Sequence, residues 1–241
     1  MKFDPPLIET TLLCRYKRFL ADVLLPNGEE MTVHCPNPGK MLGLDSPGNR
    51  CWISDSQNPK RKLLYTLEMM EVDAPAGKVM VGINTNWPNK LTEIAIKAGK
   101  FPGLDGYANL KREVKYGVNS RIDILLSDDN RRDCYVEIKN VHLLRQNGLY
   151  EFPDCVTARG AKHLRELSTM VKEGHRAVML YVIQRMDGDK FALARDLDPV
   201  YAENFDLAMQ CGVEALAIRC KITPGAIEMC DMVPVVDVLP K

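Results

Sequence analysis

The feature that most constrains this chain is a pair of short apolar runs about a polar turn, each run interrupted by charge. The first is Ser120-Arg121-Ile122-Asp123-Ile124-Leu125-Leu126, and the second is Cys134-Tyr135-Val136-Glu137-Ile138-Lys139-Asn140-Val141. Ser127 to Asp133 lie between them. Strand residues two apart share a face, so Glu137 and Lys139 point one way while Val136 and Ile138 point the other. A turn centred on Asn130 sets position 123 opposite position 137. Directly opposed residues of an antiparallel pair have Cβ atoms roughly 4.5–5.5 Å apart.

Two carboxylates that close repel one another at neutral pH, and a divalent cation between them removes the repulsion. Oxygen-rich carboxylate sites suit Mg2+ or Mn2+. Asp123 and Glu137 are therefore the candidate metal ligands and Lys139 the group beside a phosphate or an attacking water, a combination suited to phosphodiester hydrolysis. The plainer alternative is a solvent-facing strand pair whose acids merely balance Arg121 and Lys139. The matching register and the apolar flanks favour the metal site.

The rest of the chain supplies the setting. Residues 1–80 read as short strands joined by turns, with Asn27-Gly28 as a hairpin signal before Glu30–Cys35. A small barrel is the economical way to bury such strands without open edges. After Ala74-Pro75-Ala76-Gly77 the pattern changes. A helix is expected from Pro88 to Gly99 with Leu91, Ile94, Ala95 and Ala98 inward. Strands follow at 111–118, 121–127 and 133–141, then a helix at 158–173 behind Thr157 as N-cap. A strand at 176–183 is apolar enough to be buried on both faces. A helix from Pro199 to Cys211 and a strand at 213–222 complete residues 81–241 as an α/β sheet covered by helices.

Lysine plus arginine and aspartate plus glutamate both number 32, so attraction to a polyanion must come from local clustering. Two clusters and one single arginine qualify. Arg15, Lys17 and Arg18 interleave with Tyr16 and Phe19 in the first domain, a pattern suited to single-stranded nucleic acid on an OB fold. Arg121 flanks Asp123. Arg159, Lys162 and His163 lie in the first turns of the second helix, where basic side chains and the helix end favour phosphate. A solvated basic face explains that spacing equally well. Glu113 on the preceding strand is the candidate third carboxylate, with Glu93 on the first helix behind it.

The eight cysteines include no C-x-x-C pair, and no apolar h-region stands at the N-terminus, where Asp4-Pro5-Pro6 intervenes. Reduced thiols in a cytoplasmic protein are expected. No apolar run reaches the length of a membrane span.

The segments RYKRFLADV (15–23), CPNPGKM (35–41), SRIDILL (120–126), YVEIKNV (135–141) and FPDCVTARGAKHLREL (152–167) resemble the sugar fermentation stimulation protein A family, in order and spacing along nearly the whole chain. The resemblance implies an OB-fold-like β-barrel followed by a PD-(D/E)xK restriction-endonuclease-like α/β domain, whose acidic motif falls on Asp123, Glu137 and Lys139. It also implies DNA, ahead of RNA, as the partner, with little sequence preference and a regulatory link to maltose metabolism. Pro38 stands where the family has threonine, and His142 where it has a small polar residue. Three functions stay open: a metal-dependent phosphodiesterase, a non-cleaving DNA-binding regulator, and a domain for another phosphate-bearing ligand. Oligomer formation is compatible with all three.

Overall fold

The computed structural model describes residues 1–75 and 77–236. Its first sheet contains β1 (Ile8–Tyr16), β2 (Leu20–Leu24), β3 (Glu30–His34), β4 (Arg50–Asp55), β5 (Tyr65–Ala74) and β6 (Gly77–Gly82), in the order β3-β2-β1-β4-β5-β6. One further pairing, His34 with Thr66, joins β3 to β5 in parallel and closes five strands into a ring. The ring is filled by Leu12, Ala21, Val23, Val33, Ile53, Leu67 and Met70, from alternating positions of its strands. β6 carries this sheet to Gly82, past the boundary expected at residue 80. At the other end, the Met1 ammonium donates to the Ile227 carbonyl and Lys2 pairs with Ala226, so the first residues dock on the second domain.

The second domain is built on α1 (Trp87–Lys97), β7 (Asn109–Tyr116), β8 (Ser120–Asp128), β9 (Arg131–Val141), β10 (Leu143–Gln146), β11 (Gly148–Phe152), α2 (Ala158–Lys172), β12 (Arg176–Ile183), β13 (Gly188–Leu193), α3 (Pro199–Gln210), β14 (Glu214–Thr223) and β15 (Ala226–Val233). Its main sheet runs β15-β14-β12-β9-β8-β7, with β12 parallel to both neighbours. As expected, β12 is buried on both faces: Ala177, Met179, Tyr181 and Ile183 pack on one side, with α2 and α3, and Val178, Leu180 and Val182 on the other, with α1. The expected order of elements lacked the small β10-β11-β13 sheet and the edge strand β15.

α1 lies one step round from its expected orientation. Pro88, Leu91, Thr92, Ala95 and Ile96 are buried and Ile94 is exposed, because 88, 91, 92, 95 and 96 form the continuous i, i+3, i+4 stripe. α2 matches its expected face, with Ala161, Leu164 and Leu167 inward and the Thr157 hydroxyl accepting from the Gly160 amide. No helix among the described residues is long and apolar enough to cross a membrane. The eight cysteines are free thiols.

Candidate active site

The hairpin of β8 and β9 pairs Ile124 with Val136, Leu125 with Tyr135 and Leu126 with Cys134, then shifts by one residue at a bulge before Asp128 meets Arg131. Continuing the first register toward the sheet interior sets Asp123 across from Glu137. Asp123 is tied to the backbone of the strand that carries Glu137. Asp123 Oδ2 accepts from the Ile138 amide at 2.7 Å, and Asp123 Oδ1 accepts from Asn89 Nδ2 of α1 at 2.8 Å.

Glu137 is almost wholly buried. Its Oε1 receives Lys139 Nζ at 2.8 Å and is in hydrogen-bond contact with His163 Nδ1 of α2. Its Oε2 is buried and has no hydrogen-bond partner. Burial pushes the Glu137 carboxyl up, but the Lys139 charge and the His163 contact outweigh it and hold the group below its ordinary value. Asp123 lacks such cationic neighbours in direct contact. Burial first, and then the Glu137 charge, push it up to about 6. The two acids therefore divide their roles: Glu137 keeps its charge, and Asp123 takes up a proton readily when nothing else neutralises it.

These groups open onto a cleft of about 530 Å³ between the two domains. Arg18, Thr85, Asn89 and Asn140 line it beside Asp123, Glu137, Lys139, Arg159 and His163. Arg18 and Lys17 sit in the β1–β2 turn with φ of 64° and 48°, a left-handed conformation disfavoured for side chains with a Cβ, and the turn presents Arg18 to the cleft. One wall is the loop 35–41, pinned across the domain junction where Asp154 Oδ2 accepts from the Met41 amide at 3.0 Å. Burial raises the Asp154 carboxyl, but His142 and then the Met41 amide outweigh it, leaving the group well below the usual carboxylate range.

Several expected contact residues lie elsewhere. Arg15 is a structural brace: its side chain is 9% exposed and its Nη2 donates to the carbonyls of Arg18, Asn37 and Gly39. Lys17 is exposed but does not line the cleft. Arg121 is exposed on a separate concavity, reaching the Glu113 carbonyl at 3.4 Å. Lys162 donates to the Val118 carbonyl at 2.7 Å and does not line the cleft. Glu113 stands in register opposite Asp123, between the pairs Arg112–Ile124 and Val114–Ile122, yet its φ is 54° and its side chain is exposed outside the cleft. Glu93 pairs with Lys97 and Arg112 on the outside of α1. His163, expected at a phosphate-facing surface, is instead buried against Glu137. The start of α2 is already capped, with the Thr157 amide donated to Asp198 and the Gly160 amide to Thr157, so positive charge at this end of the cleft comes mainly from Arg159.

Asn89 and the Asp154–Met41 tether were not expected. Asn89 follows Pro88 in the first turn of α1, and nothing in its local sequence tells which strand that turn faces.

As a metal site, the arrangement offers two carboxylates. No group of three or more His, Cys, Asp or Glu among the described residues is disposed to hold an ion. The pair nevertheless fits a hard divalent cation, because Glu137 Oε2 is a buried acceptor without a donor and Asp123 is raised by burial and then by the Glu137 charge, both of which a cation would offset.

Comparison with known proteins agrees with this division of the chain. Residues 13–83 match the model of an SfsA N-terminal OB domain, and residues 86–226 that of a sugar fermentation stimulation protein RE domain. A sugar fermentation stimulation protein homolog from Rhodospirillum centenum is 57% identical over 227 residues, covering 94% of this chain and 96% of that protein. One from Azorhizobium caulinodans is 54% identical, covering 97% and 99%. Among solved structures, Pyrococcus furiosus SfsA in complex with Ca2+ superposes with a TM-score of 0.87 at 26% identity, covering 98% of each chain.

Proposed function

The chain belongs to the sugar fermentation stimulation protein family, and from that membership and the cleft we propose a DNA-binding protein of low sequence preference that hydrolyses phosphodiesters with a divalent cation held by Asp123 and Glu137. The observation that carries the proposal is Glu137 Oε2, a buried carboxylate oxygen with no partner, across the hairpin from Asp123. A charged acceptor buried without a donor is costly unless something else binds it. The Pyrococcus furiosus relative in complex with Ca2+ supports a divalent ion as that partner, and Mg2+ or Mn2+ is the expected working ion.

When bound, the cation supplies charge stabilisation to a phosphoryl group in transfer. The chain's own residues do the rest. Asn89 and the Ile138 amide hold Asp123 in one orientation. Lys139, 14% exposed and anchored on Glu137, presents a fixed positive charge at the cleft floor, where it favours a phosphate oxygen or orients a water. Arg18 from the first domain and Arg159 from α2 line the opening and provide cationic contacts for a nucleic-acid backbone.

The test is a metal titration joined to a cleavage assay. Mg2+ or Mn2+ should raise the melting temperature of the wild type by mass action. Asp123→Asn/Glu137→Gln should lose that shift, and the wild type should cut single-stranded, double-stranded or branched DNA, or RNA. The relatives' name points to sugar fermentation, and the second reading consistent with it is a non-cleaving DNA-binding regulator of sugar (maltose) metabolism genes, with the cation structural. DNA retention and a metal-induced shift without cleavage of any substrate would select it. No metal-induced shift at all would remove the metal site from both.

A further inference from the structure

The helix α2 delivers to the acids a residue with a different role from its basic neighbours. His163 sits on the buried face with Gly160, Ala161, Leu164 and Leu167, and is 4% exposed. Its Nδ1 contacts Glu137 Oε1, and its Nε2 lies 3.3 Å from Arg159 Nε, one helical turn earlier. A guanidinium nitrogen only donates, so Nε2 must carry a lone pair and the ring proton must be on Nδ1. Nδ1–H then donates to Glu137 Oε1. Lys139 Nζ, 3.3 Å from Nδ1 and 2.8 Å from Oε1, has the carboxylate as its acceptor.

Building on the reading of Asp123 and Glu137 as cation ligands, we propose that His163 is the positioning residue of that pair: a neutral Nδ1–H tautomer, selected by Arg159, that fixes Glu137 with Oε2 free for the ion. Two donors saturate Oε1, while Oε2 has none. The carboxylate is thereby held by one oxygen, and rotation that would spend Oε2 on a protein donor is blocked. A proton-carrying role does not fit, because both ring nitrogens are engaged and the ring has almost no access to solvent. Arg159 also lines the cleft, so the residue that sets the tautomer is itself a candidate phosphate contact. Partners that orient a ligand in this way are typically worth about 10–100-fold in metal affinity.

The experiment has two independent readouts. Ring 15N spectra of the full chain, with the His163 signals assigned by their loss in His163→Asn, should show Nδ1 protonated and Nε2 bare, with Arg159→Met relaxing that preference. Calorimetric titration with Mn2+ and Ca2+ should show near-wild-type affinity for His163→Asn, whose amide puts a donor close to the Nδ1 position. His163→Gln, with its donor near the Nε2 position, and His163→Leu, with none, should weaken binding about 10–100-fold. The Asn and Gln pair keeps the comparison valid if the leucine variant fails to fold. Equal affinity in the Gln and Asn variants, or a wild-type ring protonated at Nε2, overturns the proposal. A wild type that binds neither ion but shows the Nδ1–H tautomer retires the metal reading of the acids and leaves the Arg159–His163 lock standing.

Discussion

The amide of Ile138 donates to Asp123 Oδ2 at 2.7 Å, so the residue that follows one acid of the site holds the other. Ile138 keeps its side chain in the core while its backbone faces the acids, and this ties the geometry of the pair to the packing of β9. The tether opposes, without cancelling, the burial and the Glu137 charge that put the Asp123 carboxyl at about 6.

A pH dependence follows from that placement. The folded protein retains the Asp123 proton to higher pH than the unfolded chain, whose aspartates titrate near 3.9. Stability therefore falls as pH rises from about 4 to about 6, and the full penalty, on the order of 3 kcal/mol, is present above that range. Asp123→Asn should raise the metal-free melting temperature at pH 7 and have little effect near pH 4. The cation competes with the same proton, so the metal-induced shift of the wild type should shrink as pH is lowered through 6. Thermal melts across pH 4–8, with and without Mn2+, read both effects. A metal-induced shift independent of pH would place the ion away from Asp123.

The basic residues separate into two groups with different measurable consequences. Arg15 braces three carbonyls from within the first domain, two of them at part-buried positions, where hydrogen bonds from a charged donor contribute about 1.5–3 kcal/mol each. Arg15→Ala should lower stability by several kcal/mol, read by urea denaturation. Arg18→Ala should instead leave stability nearly unchanged, Arg159→Ala should cost about 1–3 kcal/mol for the lost donor to the buried His163 Nε2, and each should reduce the slope of log affinity against log salt by about one. An unchanged salt slope in the double variant would move the DNA path off this cleft.

What could be read from the sequence, and what could not, follows the range of the interactions. Asp123, Glu137 and Lys139 were legible because strand alternation and one turn fix their shared face, and the bulge near Asp128 leaves the register at 124–126 intact. β12 was legible from its unbroken apolar run. His163 carried a usable signal, since it falls three residues after Gly160 and four before Leu167 on the inward stripe, but its basic neighbours made the helix face look solvated. Arg15 was misleading for the same reason: charge in sequence says nothing about carbonyls brought in by a loop 22 and 24 residues away. The tether from Asp154 to Met41 spans 113 residues and has no local signature. The strands β10, β11 and β13 are short, and although β10 pairs with its neighbour β11, the sheet is completed by β13 from a distant stretch of chain.

That long-range tether can be tested at Gly39. A Cβ built there would collide with the Asp154 carboxylate. Gly39→Ala should displace Asp154 or the loop, break the Met41 amide contact and destabilise the fold by roughly 1–3 kcal/mol, the range for a buried group left unsatisfied. The Asp154 carboxyl lies below its unfolded value, so its stabilisation is present above about pH 4 and is lost as pH falls further. Asp154→Asn should therefore be destabilising at pH 7 and nearly silent in strong acid. Equal stability of Gly39→Ala and wild type in urea would show that the loop accommodates the methyl without the tether.

Lys139 is the residue at which the cleavage proposal can be tested. It lies two residues beyond Glu137 on the same face of β9, and its Nζ is held on Glu137 Oε1 at 2.8 Å. An ion held by Asp123 and Glu137 does not need a lysine for binding; a nearby positive charge makes the local cation density higher and, if anything, opposes it. The same charge is useful when negative charge builds on a phosphoryl group in transfer, where one fixed donor is worth about 3–4 kcal/mol. Lys139→Met should therefore retain the metal-induced rise in melting temperature and the affinity for DNA while lowering the single-turnover cleavage rate by two to three orders of magnitude, about what loss of one such donor predicts. A variant that cleaves as fast as wild type would remove Lys139 from the chemistry. A variant that loses the metal response instead would make it a support for Glu137, with the ion pair as its whole role.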